Sequence, residues 1–367
     1  VVAIGARYND ENGANSGSVR LYKNIDNTWT KIGADIDGEA ANDESGISVS
    51  LSSDGSVVAI GARYNDGLNG IVSGSVRVYK NPNYVKTQIS ADIDGEAAND
   101  ESGRSVSLSF DGSVMAIGAR YNDGNGADSG SVRLYKNTGG TWAQIGADID
   151  GEAAGDQSGH SVSLSSDGSV VAIGAIGNDV NGADSGSVRL YKYIVGTASW
   201  AQIGADIDGE AVGDESGFSV SLSSDGSVVA IGALNNDGNG DSSGSVRVYK
   251  YTNDTWVQVG GDIDGEVAED FSGRSVSLSS DGAVVAIGAF GNDGNGADSG
   301  SVRLYKYIVG TASWAQIGAD IDGEAAGDQS GYSVSLSSDG SVVAIGAILN
   351  DGANGVDSGS VRLYKNI

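Results

Sequence analysis

The sequence predicts an all-β chain: a seven-bladed β-propeller of four-stranded antiparallel blades. Three observations carry this. The stretch Ser-Val-Ser-Leu-Ser-Ser-Asp-Gly-Ser-Val-Val-Ala-Ile-Gly-Ala, complete at 161–175, recurs at intervals of 56 to 59 residues. Each recurrence sets two apolar runs on either side of an Asp-Gly, the strongest short-range signal for a β-hairpin. Internal repeats also override the two or three domains that 367 residues would otherwise suggest. The units span approximately 1–45, 46–102, 103–158, 159–216, 217–272, 273–330 and 331–367, within a single propeller domain.

The first strand of a unit is Ser-Val-Ser-Leu, starting at Ser48, Ser105, Ser161, Ser219, Ser275 and Ser333. Its small serines suit the crowded strand nearest an axis. The second strand, Val-Val-Ala-Ile-Gly-Ala, starts at Val1, Val57, Val114, Val170, Val228, Val284 and Val342. It is a continuous apolar run, as a strand buried on both faces requires. The third, Ser-Val-Arg-(Leu/Val)-Tyr-Lys, starts at Ser18, Ser75, Ser131, Ser187, Ser245, Ser301 and Ser360. The fourth is led by Trp29, Trp142, Trp200, Trp256 and Trp314, with Tyr84 in the Trp place of the second unit. The first unit lacks a first strand and the last lacks a fourth, so 26 strands are expected against 28 for seven complete blades. The opening on Val1, inside a hairpin, reads as part of a longer precursor. The 59 glycines have no collagen-like period and serve as turn residues, and WD40 and kelch signatures are absent.

Composition excludes several chemistries. Zero cysteines rule out disulfides, thiolate catalysis and Cys-based zinc sites, and a single histidine, His160, rules out imidazole triads and His-metal clusters. A net charge of −28 argues against nucleic acid or an anionic membrane as partner. No apolar run approaches the roughly 18 residues of a membrane helix, so no membrane insertion is expected.

Ser-Gly-x-Ser-Val-Ser-Leu, then Ala-Ile-Gly-Ala, then Ser-Gly-Ser-Val-Arg-Leu-Tyr resembles the FG-GAP repeat of integrin α-subunit propellers, in the variant of bacterial and algal surface proteins. The resemblance covers essentially the whole chain. It implies a seven-bladed propeller, extracellular or at the cell surface, that binds without catalysis. Two departures stand out: Phe-Gly is Ser-Gly here, as at Ser45-Gly46 and Ser158-Gly159, and the proline of Gly-Ala-Pro is missing. The integrin calcium loop between the first and second strands is reduced to Ser-Ser-Asp-Gly-Ser, too short for a calcium coordination shell.

Propeller topology puts the loops after the fourth strand and those between the second and third on one face, which then carries 41 of the 49 acids. Such a face repels itself unless cations screen it. In the loop after the fourth strand, Asp35, Asp37, Glu39 and Asp43 place carboxylates at positions 1, 3, 5 and 9 of a partial calcium-loop pattern. Asp92, Asp94, Glu96 and Asp100 repeat it, as do Asp148, Asp150, Glu152 and Asp156. The other loop offers Asp123, Asn125 and Asp128. Calcium in at least one loop class is one reading; turn formation by Asx and Gly chemistry is the other.

Near-identical repeats expose the positions that vary. Ahead of the first strand stand Ile47, Arg104, His160, Phe218, Arg274 or Tyr332. After Gly-Ala, three units carry Arg7-Tyr8, Arg63-Tyr64 and Arg120-Tyr121, and the rest carry aliphatic or aromatic residues. Together with Arg104 these pairs are candidate partner-binding anchors, or they pair locally with acids. The third-strand Arg reads as an inter-blade brace and the fourth-strand Trp as packing. The resulting expectation is a non-enzymatic adhesion module whose acidic face holds a protein or glycan at the cell surface. The alternative is a structural repeat of a surface layer, sheath or filament that binds copies of itself. A catalytic pair should be singular, whereas these carboxylates repeat, so no enzymatic activity is expected.

Overall fold

The continuous apolar run of each repeat becomes the most buried strand of its sheet. In the computed structural model, which describes residues 1–80, 87–352 and 355–365, all six residues of Val57–Ala62 are buried, as are those of Val114–Ala119 and Val228–Ala233. Alternate side chains of one strand serve two cores, as the two-residue period of a strand dictates. Val57 and Ala59 join Val76, Val78, Met115 and Ile117, while Val58 and Ile60 join Val19 and Leu21. Each core layer therefore lies between consecutive sheets. Every fully buried Val or Ile contributes about 1.5–3 kcal/mol to holding them together.

The protein is a seven-bladed β-propeller of antiparallel sheets, with no helix among the described residues. In the third repeat the strands are Ser105–Leu108, Val114–Ala119, Ser131–Thr138 and Thr141–Gln144, hydrogen-bonded in chain order. One further strand was not expected. Ile149–Asp150 returns to pair with the start of the third strand, Ser131 opposite Asp150 and Val132 opposite Ile149. The described residues form 32 strands, six of them such Ile-Asp pieces. The expected 26 are the remainder. Tyr84, assigned to the Trp place, lies outside the described residues.

The chain divides into two units, Val1–Ile173 with Tyr191–Ala201, and Gly174–Leu190 with Gln202–Ile367. Within each, the same contacts join neighbouring sheets. The first-strand serines are more than small. In the first unit Ser48 Oγ donates to Gly103 O and Ser105 Oγ to Gly159 O, both at 2.8 Å. Leu108 N and Leu164 N donate to Ser50 Oγ and Ser107 Oγ at 2.9 and 3.0 Å. In the second unit Ser219 Oγ donates to Gly273 O and Leu278 N to Ser221 Oγ. The second-strand glycine is needed for this approach, since a Cβ on Gly118 would lie 2.1 Å from Gly159 O.

The third-strand arginines brace sheet to sheet, as their recurrence implied. Arg133 Nη2 donates to Asp94 O at 2.8 Å and Ser102 Oγ at 3.2 Å, with its guanidinium 5.7 Å from the Tyr135 ring centroid. Arg303 repeats this on Asp264 O and Ser272 Oγ. At the outer edge Trp200 Nε1 donates to Ile145 O at 2.9 Å, Trp256 Nε1 to Ile203 O at 2.8 Å and Trp314 Nε1 to Val259 O at 2.7 Å. Each ring edge lies over a positive-φ glycine that follows the acceptor. On Gly146, at φ +80°, a Cβ would meet Trp200 Cδ1 at 2.8 Å.

Candidate functional site

The two acidic loop classes do lie together, laced by backbone and side-chain hydrogen bonds. In the third repeat Gly130 bridges to Ser158 in parallel fashion, and Gly155 N donates to Ala127 O at 2.9 Å. Asn125 Nδ2 donates to Gly151 O and Glu152 O at 2.9 and 2.8 Å. Asp123 Oδ1 accepts from Asp128 N at 2.9 Å, closing the loop while Asp128 sits at φ +55°. Thus Asp123, Asn125 and Asp128 serve turn chemistry.

The acids at position 9 are the most deeply placed. Asp100 Oδ2 accepts from Glu96 N, Ala97 N and Asn122 Nδ2 at 3.1, 2.9 and 3.1 Å. Asp156 Oδ2 accepts from Glu152 N and Ala153 N, and Asp43 Oδ2 from Ala40 N and Asn65 Nδ2. At position 1, Asp92 and Asp148 accept from Gln88 and Gln144 side chains. Asp35 is ion-paired with Arg20 and Lys31; although burial opposes it, hydrogen bonds from Lys31 and Arg20 hold its carboxyl below the usual range. Asp37, Asp94 and Asp150 occupy the short return strands. Among the described residues no three carboxylate or imidazole groups converge on one point. The position-9 carboxylates accept from backbone and amide N–H donors.

Position 5 differs. Burial pushes the Glu39, Glu96 and Glu266 carboxyls up, and Asp92, Asp148 and Asp320 of the following repeat add to the shift against the opposing charge of Arg77, Arg133 and Arg303. Burial and Asp92 likewise raise Asp94. Each seam thus holds a crowded pair of acids beside a bracing arginine.

The Arg-Tyr pairs are intramolecular stacks. The guanidinium carbons of Arg7, Arg63 and Arg120 lie 4.5, 4.3 and 4.4 Å from the ring centroids of Tyr8, Tyr64 and Tyr121. Glu44 Oε2 accepts from both Arg63 Nε and Nη2 (3.1 and 2.8 Å), and Glu101 Oε2 from Arg120 Nε at 3.0 Å. Arg63 and Arg120 are therefore engaged within the chain. Arg104 Nη2 lies 3.2 Å from His160 Nε2, which places the acceptor lone pair there and the imidazole proton on Nδ1. In the second unit Arg274 is sandwiched between Phe218 and Tyr332 at 4.6 and 4.1 Å, and Phe290 packs between Tyr332 and Phe271. Equivalent positions thus build different chemistry in the two units.

One loop departs from the repeat within the first unit. Between the loops at 40–43 and 64–72 lies an open cavity of about 480 Å³, lined by Ala40, Ala41, Asp43, Tyr64, Asp66, Ile71 and Val72 among others. This volume is in the range of small-ligand and side-chain pockets. Sequence reasoning singled out Tyr64 and Asp43 but missed Ile71 and Val72. Their signal was present: the loop from Asn65 to Gly74 is one residue longer than that from Asn122 to Gly130, with Leu68 as the extra residue, and Ile71 and Val72 stand where the latter has Ala127 and Asp128.

With this geometry in place, the relatives can be compared. The FG-GAP repeat family matches at residues 88–135, 263–305 and 319–364. The chain is a seven-bladed propeller that carries FG-GAP repeats at these three places. No curated protein matches it in sequence. Among solved structures, a putative 6-phosphogluconolactonase of Bacteroides uniformis has a TM-score of 0.65 at 11% identity, covering 99% of this chain and 91% of that one. The periplasmic gluconolactonase of Pseudomonas aeruginosa has a TM-score of 0.62 at 15% identity, covering 100% of this chain and 99% of that one. Hydrazine synthase of Kuenenia stuttgartiensis follows at 0.58 and 11%, covering 95% and 89%. At such identities the likeness is one of fold, and the activities named belong to those proteins.

The comparison corrects the expectation of no enzymatic activity, because the fold this FG-GAP propeller shares houses proteins described as lactonases.

Proposed function

We propose that this FG-GAP propeller is a binding module that docks a protein or glycan partner at the cell surface through its laced acidic loops. The observation that carries the reading is the concentration of carboxylates in loops held rigid by their own hydrogen bonds, with an open cavity between two of them. A preorganised surface of one charge sign raises the association rate of an oppositely charged partner and loses little entropy on binding. Calcium enters this proposal as a bridge to the partner's own ligands, since N–H donors already engage the buried loop carboxylates.

Surface plasmon resonance of the full chain over poly-L-lysine and a neutral glycan array tests the reading. Retention that weakens from 20 to 300 mM salt, or on defined glycans, supports it. Added calcium should change partner retention while leaving the unfolding midpoint unchanged; a midpoint rise would mean a resident ion instead. Retention by neither surface, with polymers in sedimentation, would replace docking with self-assembly. Turnover of glucono-δ-lactone above its spontaneous rate would replace it with a catalytic role.

A further inference from the structure

We infer that the cavity between the loops at 40–43 and 64–72 takes an aliphatic side chain of a partner polypeptide, bracketed in that partner's sequence by lysine or arginine. The inference deepens the docking reading and rests on it.

Three features mark this place. Leu68 is 95% and Ile71 64% exposed, on a face otherwise rich in carboxylates. Val72 sits at φ +54°, in the left-handed region that a β-branched side chain seldom enters. The equivalent residues at the same φ are Asn15, Asp128, Asp184, Ser242, Asp298 and Asp357, types that tolerate it. Strain of this kind points to a functional demand on the residue held there. The third feature is the cavity itself, with Tyr64, Ile71 and Val72 as apolar wall and Ala40 and Ala41 as floor.

Charge selects the occupant. Asp66 is exposed at the cavity, its Oδ1 taken by Val72 N at 2.8 Å while Oδ2 has no such bond. Glu39 adjoins Ala40 in the chain and is exposed, and Asp94 Oδ1 approaches Gly67 on the other side. An apolar side chain alone would gain burial; cations on either side of it add complementarity to these carboxylates and specificity. A purely anionic or purely polar segment would gain neither.

The test is calorimetric titration of the full chain with three acetylated, amidated heptapeptides: Lys-Ser-Lys-Leu-Lys-Ser-Lys, its analogue with serine at the centre, and the leucine peptide with glutamate replacing each lysine. The leucine peptide should bind at least tenfold more tightly than the serine analogue, and the glutamate peptide should be silent. The variant L68N/I71A/V72N should bind both lysine peptides equally. Val72→Asn alone should lose part of the preference while unfolding at a higher temperature, which separates lost docking from lost folding. Equal binding of the leucine and serine peptides to the unmodified chain overturns this inference and leaves the docking reading standing. Silence of every peptide, of poly-L-lysine and of the glycan array overturns both. A dimer in sedimentation abolished by L68N/I71A/V72N would give the patch to a second copy, which also overturns it.

Discussion

The second and third repeats share a strand plan almost residue for residue, yet differ at both ends of their sheets. In the third, the outer edge offers Gly146, and Trp200 of the next repeat lies over it to donate to Ile145 O. In the second, the equivalent residue is Ser90. Trp142, which packs against the same core as Ile89, is left with a buried Nε1 that has no partner among the described residues. A Cβ at Gly146 would meet the Trp200 ring edge, and Ser90, which carries one, does not adopt the positive φ of Gly146. On the acidic loops the third repeat closes with Asp128 and the second with strained Val72. Where strands meet strands, the two repeats are interchangeable. Where only loops are involved, one residue changes what the seam can do.

The strand-level equivalence is tested most severely by Gly61→Ala and Gly118→Ala. Their Cβ atoms would lie 2.0 and 2.1 Å from the Gly103 and Gly159 carbonyl oxygens, which are backbone and cannot rotate away. Both should cost more than about 4 kcal/mol, or abolish folding, to the same extent. Chemical denaturation showing one tolerated and the other not would break the equivalence.

Acid should act on the repeats with two signs. Glu96, raised by burial, binds its proton more tightly folded than unfolded, so stability rises as pH falls toward 4.5. The hairpin aspartates act oppositely. Hydrogen bonds from Ser337 and from Ser341 hold Asp339 down to about 2, so its contribution is complete above pH 3.8 and is lost as pH falls through about 2. Unfolding midpoints between pH 7 and 2 at fixed ionic strength should pass through a maximum on the mildly acidic side. A monotonic fall from pH 7 would contradict the assignment of the seam acids.

The edge difference predicts unequal costs for one substitution. Trp200→Phe removes a hydrogen bond to Ile145 O, whereas Trp142→Phe removes an unsatisfied donor. The first should therefore cost about 1 kcal/mol more than the second. Val72→Asn should stabilise by about 1 kcal/mol, because asparagine enters the left-handed region at lower cost. Smallest is the coupling of Ser90→Gly to Trp142. The glycine should gain about 0.5–1 kcal/mol more with Trp142 present than with Trp142→Phe, as its new bond to Ile89 O needs the indole. A zero coupling energy in that cycle would mean Ser90 is not what keeps the indole from its acceptor.

Much of this was legible beforehand, for identifiable reasons. A six-residue apolar run buried on both faces, an Asp-Gly flanked by such runs, and an Arg recurring in every repeat are local statements that hold wherever the repeat sits. Strand identity, sheet order and the role of Arg133 as a brace followed. The Ile-Asp return strand was hidden because two residues carry no period. The serine rungs were hidden because their acceptors, such as Gly103 O for Ser48, lie a whole repeat away.

The loop acids mark the boundary most clearly. Their spacing in the chain allowed either a cation shell or a hydrogen-bonded turn, and periodicity could not choose. What the fold adds comes from the neighbouring loop: Asn122 brings its amide to Asp100, and the turn brings two backbone N–H groups to the same carboxylate. Likewise Arg63 and Arg120 looked available until Glu44 and Glu101 were found against them. Local pattern determines which residues form strands, because backbone hydrogen bonding and burial are decided over a few residues. Whether a charged side chain is free to act depends on what a distant segment places within about 3 Å of it, and that distance exists only in the folded chain.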